Sequence, residues 1–115
     1  MLLPRVMGER RARELLLTGE IFDAQAALRA GLVSHVVEAG QLEAKLQEVL
    51  ARLRELSAPA LEMARRALDA ARGRPFLEAL ERTEDIYLNE LMKTEDAREG
   101  VNAFMEKRRP EWRNK

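Results

Sequence analysis

The chain has 115 residues, 46% hydrophobic and 35% charged, and its 20 basic residues are balanced by 20 acidic ones. A formal net charge of zero argues against a partner such as nucleic acid or an anionic membrane, which requires an uncompensated basic surface. The absence of cysteine excludes disulfides, thiolate zinc sites and cysteine nucleophiles. No apolar run is long enough to cross a bilayer or to form a secretory signal, and we expect a cytoplasmic protein.

The first forty residues predict two short helices and one extended segment. An apolar stretch around Pro4 leads into a helix over Glu9–Thr18. Asp23 is a good N-cap for a second helix over Ala24–Ala30. The following run Leu32–Val37, LVSHVV, is β-branched and too short for a helix, which predicts one isolated strand.

Three longer helices follow, predicted over Gln41–Leu56, Pro59–Arg72 and Pro75–Met92. Each has apolar residues spaced at three and four, the pattern of an amphipathic helix, and proline is tolerated in the first turn of the second and third. The residues predicted to face inward on the last of these helices are Phe76, Leu80, Tyr87, Leu88 and Leu91.

The terminal helix is predicted over Glu95–Arg108. Thr94 is a suitable N-cap, and acidic residues follow it where the helix dipole is positive. Pro110 cannot continue a helix, and the residue before it is pushed out of the helical conformation. Gly100 lies inside the helix at a cost of roughly 1 kcal/mol relative to alanine, which suggests that another backbone or a ligand passes close to it.

These elements together predict an all-α fold of six helices, with one short extended segment near residues 32–37. Connections are short, and we see neither a repeat nor a linker, so residues 1–115 are expected to form a single domain.

The sequence offers little chemistry for an active site of its own. His35 is the one histidine, and a general base or metal site needs a second polar group that its segment lacks. The glycines are scattered singly, which excludes a phosphate-binding loop. Carboxylates lie on charged stripes beside arginine and lysine, so no catalytic residue and no metal ligand is predicted.

Phe104 and Lys107 are the candidate binding residues, because they stand three apart and so share one side of the terminal helix. An aromatic face beside an ammonium group suits a nucleotide, with the ring against the base and the charge against a phosphate. The simpler interpretation is that Phe104 belongs to the core and that Lys107 only offsets the helix dipole. Spacing alone favours the simpler interpretation.

Four blocks of the chain resemble the enoyl-CoA hydratase (crotonase) family. They are LPRVMGERRARELLLTG at Leu3–Gly19, DAQAALRAGLVSHVV at Asp23–Val37, APALEMARRAL at Ala58–Leu68 and DAREGVNAFMEKRRPEW at Asp96–Trp112. The blocks follow the family's order and cover essentially the whole chain. Arg66 departs from the pattern, since many relatives have lysine there, but the charge is kept.

The resemblance implies the C-terminal helical region of such an enzyme, which caps the active site and builds a trimer or hexamer. Members act on acyl-CoA thioesters with paired glutamates and two backbone N–H groups that lie upstream of the L-P-R motif. We therefore expect no catalytic residue here and no cofactor beyond the coenzyme A thioester substrate. Phe104 and Lys107 match positions that contact the CoA nucleotide in relatives. Leu88 matches a position that lines the acyl-chain pocket in some relatives, although it could equally be core.

Two functions remain open at the level of sequence. One is an oligomerising, CoA-capping region of an enoyl-CoA hydratase/isomerase-type enzyme, inactive alone because the oxyanion-stabilising N–H groups are missing. The other is a free-standing helical interaction module without catalysis, which binds a partner or itself through an exposed apolar face. Both predict self-association.

Overall fold

Helices form the greater part of residues 2–115, which the computed structural model describes. This part of the chain contains no β-strand, and the predicted all-α fold is confirmed. None of its helices is long and apolar enough to span a membrane. The α-helices are α1 (Leu3–Met7), α2 (Glu9–Thr18), α3 (Ala24–Arg29), α4 (Leu42–Arg54), α5 (Ala58–Ala71), α6 (Phe76–Asp85) and α7 (Glu95–Met105).

Residue contacts group the chain into two compact units, Met1–Leu46 and Gln47–Lys115. The expectation of a single cooperative domain stays a prediction, which one calorimetric unfolding transition for the whole chain would support.

In the first unit, α1 is an addition to the predicted helices. The sequence predicted only an apolar stretch there, but Pro4 stands in the first turn, where its missing N–H costs nothing. The predicted bounds of α2 are confirmed, and Ala12 on this helix is fully buried. Asp23 is the N-cap of α3, as predicted, and its Oδ1 accepts a hydrogen bond from Ala26 N at 2.7 Å.

The segment Leu32–Val37 lies outside the helices, as predicted, but it does not form the predicted strand. A strand requires hydrogen bonds to a neighbouring strand, and residues 2–115 provide none. The backbone N–H of Leu32 instead donates to the carbonyl oxygen of Ala27 at 2.9 Å, which ties the start of the segment to the end of α3.

In the second unit, the predicted single helix Pro75–Met92 changes its winding twice. After α6 the chain continues as a π-helical turn over Ile86–Glu90 and a 3₁₀ turn over Leu91–Lys93. Arg66 of α5 forms a bidentate ion pair with Glu90, in which Nη2 and Oε1 are 2.8 Å apart. The π-helical turn thus contains Glu90, the acidic partner of Arg66 on α5.

Few side chains are buried within the chain. Among residues 2–115, the buried apolar residues are Ala12, Ile86 and Ala103, and the buried polar ones are Ser57 and Asp96. Of the side chains predicted to face inward on this stretch, Leu91 is half-buried, and the prediction is wrong for the other four within the described residues. Phe76 is 76% exposed, for example, because the described residues provide no surface that covers this side of the helix. Leu80, Tyr87 and Leu88 are exposed as well.

Candidate functional site

The N-terminus of α7 is fixed by the cap that its sequence predicts. Thr94 Oγ1 accepts a hydrogen bond from Ala97 N at 3.0 Å, and Glu95 and Asp96 occupy the first turn. The hydroxyl satisfies one free backbone donor, and the carboxylates lie where the helix dipole is positive.

Asp96 joins the start of α7 to the end of the chain. Its side chain is 2% exposed and accepts hydrogen bonds from the backbone N–H groups of Arg113, at 2.8 Å, and Asn114, at 3.1 Å. Burial by itself would raise the pKa of Asp96, but these bonds and one from the Ser57 side chain together lower the pKa below its ordinary value. The buried carboxylate therefore holds residues 113 and 114 against the first turn of α7.

Two more hydrogen bonds join the C-terminal residues to the segment that leads from α4 into α5. Trp112 Nε1 donates to the carbonyl oxygen of Glu55 at 2.8 Å, and the Ala58 N–H at the start of α5 donates to Asn114 Oδ1 at 3.1 Å. The Trp112 ring lies over Gly100, where a Cβ would be 3.5 Å from the indole. Gly100 thus faces a side chain of its own chain, neither the backbone nor the ligand that the sequence suggested.

The C-terminus of α7 comes three residues before the predicted Arg108. Met105 is the last helical residue, and Lys107 takes a left-handed backbone conformation with φ of 56°. The backbone N–H of Arg108 donates to the carbonyl oxygen of Ala103 at 3.0 Å, and that of Lys107 donates to Phe104 at 3.2 Å. This pair of bonds is the Schellman motif, and it ends the helix before Pro110 can.

Arg108 is bound on both sides by carboxylates. Its guanidinium makes two hydrogen bonds to Glu99, at 2.5 and 3.1 Å, and one to Glu106 at 2.5 Å. Glu99 also accepts from the backbone N–H of Glu111 at 2.9 Å. The hydrogen bonds from Arg108, with that from Glu111, lower the pKa of Glu99 to about 2.

Phe104 and Lys107 are both free at this end of α7. The Phe104 side chain is 82% exposed, so it is not core within the described residues. Lys107 is exposed and forms no ion pair with residues 2–115, in contrast to Arg108 beside it. The two residues are three positions apart and joined by a backbone hydrogen bond, although Lys107 lies beyond the last helical residue. An aromatic face and an unpaired ammonium group at one end of a helix suit a base and a phosphate.

Phe104 also borders an apolar groove that the sequence analysis missed. The groove has a volume of about 490 Å³ and lies between the start of α5, the 3₁₀ turn and α7. Trp112 lines the groove and bonds to Glu55, the residue directly after α4, and Gly100 under its ring was the one sign of Trp112 in the sequence. The lining includes Leu61, Tyr87, Leu91, Val101, Phe104 and Trp112.

The chain as a whole, residues 1–115, matches the family model described as enoyl-CoA hydratase/isomerase. The chain belongs to the enoyl-CoA hydratase/isomerase family. It is 36% identical over 113 residues to a probable mitochondrial enoyl-CoA hydratase of Dictyostelium discoideum, and 36% over 116 residues to cyclohexa-1,5-dienecarbonyl-CoA hydratase of Thauera aromatica. These alignments include 98% and 99% of this chain.

Solved structures agree with this assignment. The enoyl-CoA hydratase of Bacillus anthracis superposes with a TM-score of 0.85 at 33% identity, over 98% of this chain and 43% of that one. The chain likewise spans only 40% of the Dictyostelium relative and 44% of the Thauera relative. The family that the four sequence blocks indicated is confirmed, and the chain corresponds to about two fifths of an enoyl-CoA hydratase.

The third predicted binding residue of this enoyl-CoA hydratase family chain lies elsewhere. Leu88 is 58% exposed in the π-helical turn, so it is not core within the described residues. The groove beside Phe104 is lined by Tyr87 and Leu91, and Leu88 is not part of that lining. Phe104 and Lys107 thus lie at one end of α7, whereas Leu88 lies in the π-helical turn.

The remaining polar groups form no second site. His35 is exposed and makes no hydrogen bond to residues 2–115. Within the same residues, no three histidine, aspartate or glutamate side chains are grouped so that they could hold a metal ion.

Proposed function

We propose that this chain is the helical oligomerisation and CoA-capping region of an enoyl-CoA hydratase/isomerase-type enzyme. Family membership and the two-fifths coverage of relatives support this role. The complete enzyme would hydrate or isomerise an enoyl-CoA in acyl-CoA and fatty-acid metabolism. Its catalytic acids and oxyanion-stabilising N–H groups would come from a part of the enzyme outside these 115 residues.

The observation that carries the CoA-capping role is the free pair Phe104 and Lys107. An exposed phenyl ring on a soluble helix gains free energy by stacking on a base, and about 1–3 kcal/mol is typical for such a contact. The ammonium group of Lys107 has no carboxylate partner among residues 2–115, so it is available for a phosphate of the same nucleotide. Coenzyme A presents both an adenine and phosphates.

The test is a titration of the isotopically labelled chain with coenzyme A, followed by NMR. We expect chemical-shift changes confined to the end of α7 around Phe104 and Lys107. Replacing Lys107 by alanine should raise the Kd about fivefold to tenfold, the effect of one exposed charge-assisted contact. Arg109→Ala is the matched control, because Arg109 is a neighbouring cation that also forms no ion pair with residues 2–115. The affinity of the Arg109→Ala variant for coenzyme A should change little.

A second arm uses pantetheine, which lacks the nucleotide. It should cause no shift at Phe104 or Lys107. Equal responses to coenzyme A and pantetheine, or no response to millimolar coenzyme A, would remove the capping role.

Self-association is the other half of the proposed role. The apolar sides of α4, α6 and α7 carry large exposed side chains, and such patches promote association. We propose a homo-oligomer, a trimer or hexamer as the resemblance implies. The exposed apolar residues on these helices include Leu42, Leu46, Leu53, Phe76, Leu77 and Val101.

The same apolar sides support a second candidate, a free-standing helical interaction module without catalysis. The two functions differ in their response to coenzyme A. A chain that associates normally but shows no shift at Phe104 or Lys107 would be such a module. For either function we propose a cytoplasmic location, which a chain without cysteine permits. Fluorescence microscopy of the tagged protein in its own cells tests it, and a signal confined to an organelle would contradict it.

A further inference from the structure

Two helices of the chain end in the same motif but with different residues at its left-handed position. At the end of α3, Gly31 has φ of 77°, and Leu32 N donates to Ala27 O at 2.9 Å. At the end of α7, Lys107 has φ of 56°, and Arg108 N donates to Ala103 O at 3.0 Å. Glycine adopts this conformation freely, whereas the Cβ of any other residue is crowded by the following carbonyl group.

Contacts on the C-terminal side of Lys107 hold it in this unfavourable conformation. Arg108 folds back along α7 and pairs with Glu99, nine residues earlier. Glu99 also accepts a hydrogen bond from Glu111 N. One carboxylate therefore fixes the chain at two points after Lys107, at Arg108 and at Glu111. The second carboxylate on Arg108, that of Glu106, comes from the residue directly before Lys107. Lys107 is thus enclosed between residues that share one charged cluster.

We propose that Arg108 and Glu99 are positioning residues, which hold Lys107 in its left-handed conformation and so present its ammonium group beside Phe104 to a phosphate of coenzyme A. This inference rests on the proposed function and adds which contacts fix the backbone conformation of the residue after α7. Lys107 follows the last helical turn. Without a fixed backbone its long side chain would have no defined direction relative to Phe104.

The charges around Arg108 explain why it positions Lys107 and does not bind the phosphate itself. Its guanidinium is engaged by Glu99 and Glu106, and these three groups together carry an excess of one negative charge. Such a cluster repels a phosphate. Lys107 is the cation beside Phe104 whose charge is not neutralised by an ion pair within residues 2–115.

The test is a mutant cycle on the full chain, with coenzyme A as the probe and Kd from NMR or calorimetry as the readout. Arg108→Met keeps the side-chain length and removes the charge. We expect it to raise the Kd about fivefold in the wild-type background, because a smaller share of molecules then has Lys107 in the binding conformation. The same factor should appear in the Phe104→Ala background, and a clearly smaller one in the Lys107→Ala background, where only the added repulsion from Glu99 and Glu106 remains.

The cycle separates positioning from general stability, since a loss of folding would weaken binding in every background. Equal factors in all three backgrounds, Lys107→Ala included, would overturn the inference. A normal Kd for Arg108→Met together with a raised Kd for Lys107→Ala would also overturn it while leaving the proposed function intact. Lys107→Ala without any effect would overturn the proposed function, and this inference with it.

Glu99→Gln provides the second variant if Arg108→Met does not fold. It removes the partner charge but keeps a polar group of the same shape, and its circular dichroism spectrum checks that the helices remain. We expect the same dependence on Lys107. Unchanged affinity in folded Glu99→Gln would contradict the positioning role.

Discussion

At the level of single residues, α7 contains a glycine where alanine would suit the helical backbone, and directly after the helix a lysine stands where glycine would suit the left-handed backbone. Gly100 is helical, and Lys107 is left-handed. Each choice costs stability. Gly100 lies under the Trp112 ring, and Lys107 carries the proposed phosphate contact.

Gly100→Ala should stabilise the chain. A Cβ there would lie 3.5 Å from the Trp112 ring, an ordinary contact distance, so the gain in helix propensity of about 1 kcal/mol is not offset by a clash. The free energy of unfolding from urea denaturation measures the gain. Gly100→Leu is the control, because its larger side chain displaces the indole and should destabilise. A destabilised alanine variant would show that the indole approaches more tightly than described.

Lys107→Gly and Lys107→Ala should separate backbone from charge. Glycine removes the conformational cost and should raise the free energy of unfolding by about 1 kcal/mol, whereas alanine keeps a Cβ and should change it little. Both variants lose the ammonium group, so both should bind coenzyme A more weakly. Urea denaturation gives the first quantity and NMR titration the second. Tighter CoA binding by the glycine variant would contradict the assigned role of the charge.

The elements show which local features the sequence could predict. Helix starts with a capping side chain were found correctly, at Asp23 and Thr94, because the cap acts within three residues. The end of α7 was placed at Arg108, three residues too late. That end depends on Arg108 reaching Glu99 across nine residues, a contact that no local pattern reveals.

The same reasoning applies to the interrupted helix after α6. The apolar spacing of residues 75–92 fits one continuous α-helix, so it gives no sign of the π-helical turn. The π-helical turn includes Glu90, which pairs with Arg66 twenty-four positions earlier. The groove beside Phe104 was missed for a similar reason, since Trp112 and Glu55 are 57 residues apart.

The ion pair at the end of α7 predicts a pH dependence of stability. The pKa of Glu99 is lowered from 4.5 to about 2, so the unfolded chain takes up its proton at a higher pH than the folded chain. The stabilisation is complete above about pH 4.5 and is lost as the pH falls through about 2. Urea denaturation between these values should give a steeper decline for wild type than for Glu99→Gln. Parallel declines would show that Glu99 is not held by Arg108 in solution.

For the whole molecule, the sequence predicted the amphipathic helices correctly, but it also predicted that their apolar side chains are buried within the chain, and most of them are exposed. Side chains such as Phe76 and Leu80 belong to apolar stripes, yet they face outward from the described chain. A periodic pattern shows that one side of a helix is apolar, but it does not identify the molecule that covers it. The proposed association supplies such a cover.

Sedimentation should therefore detect species heavier than the 13.1 kDa chain at micromolar concentration. Phe76→Glu should shift the distribution towards monomer, because it places a charge on an exposed apolar side. Arg72→Gln, directly after α5, lowers the net charge by the same one unit on an exposed polar position and should leave the distribution unchanged. A clean wild-type monomer at high concentration would contradict both the trimer or hexamer and the interaction module.

The contacts of residues 112–115 have a practical consequence for handling the protein. Terminal residues are ordinarily the first that an exopeptidase removes. Here the Trp112 indole, the Asn114 amide and two backbone N–H groups are all occupied by partners elsewhere in the second unit. Brief carboxypeptidase treatment should stall near the C-terminus while the protein is native, and trimming that does proceed past Trp112 should loosen the starts of both α5 and α7.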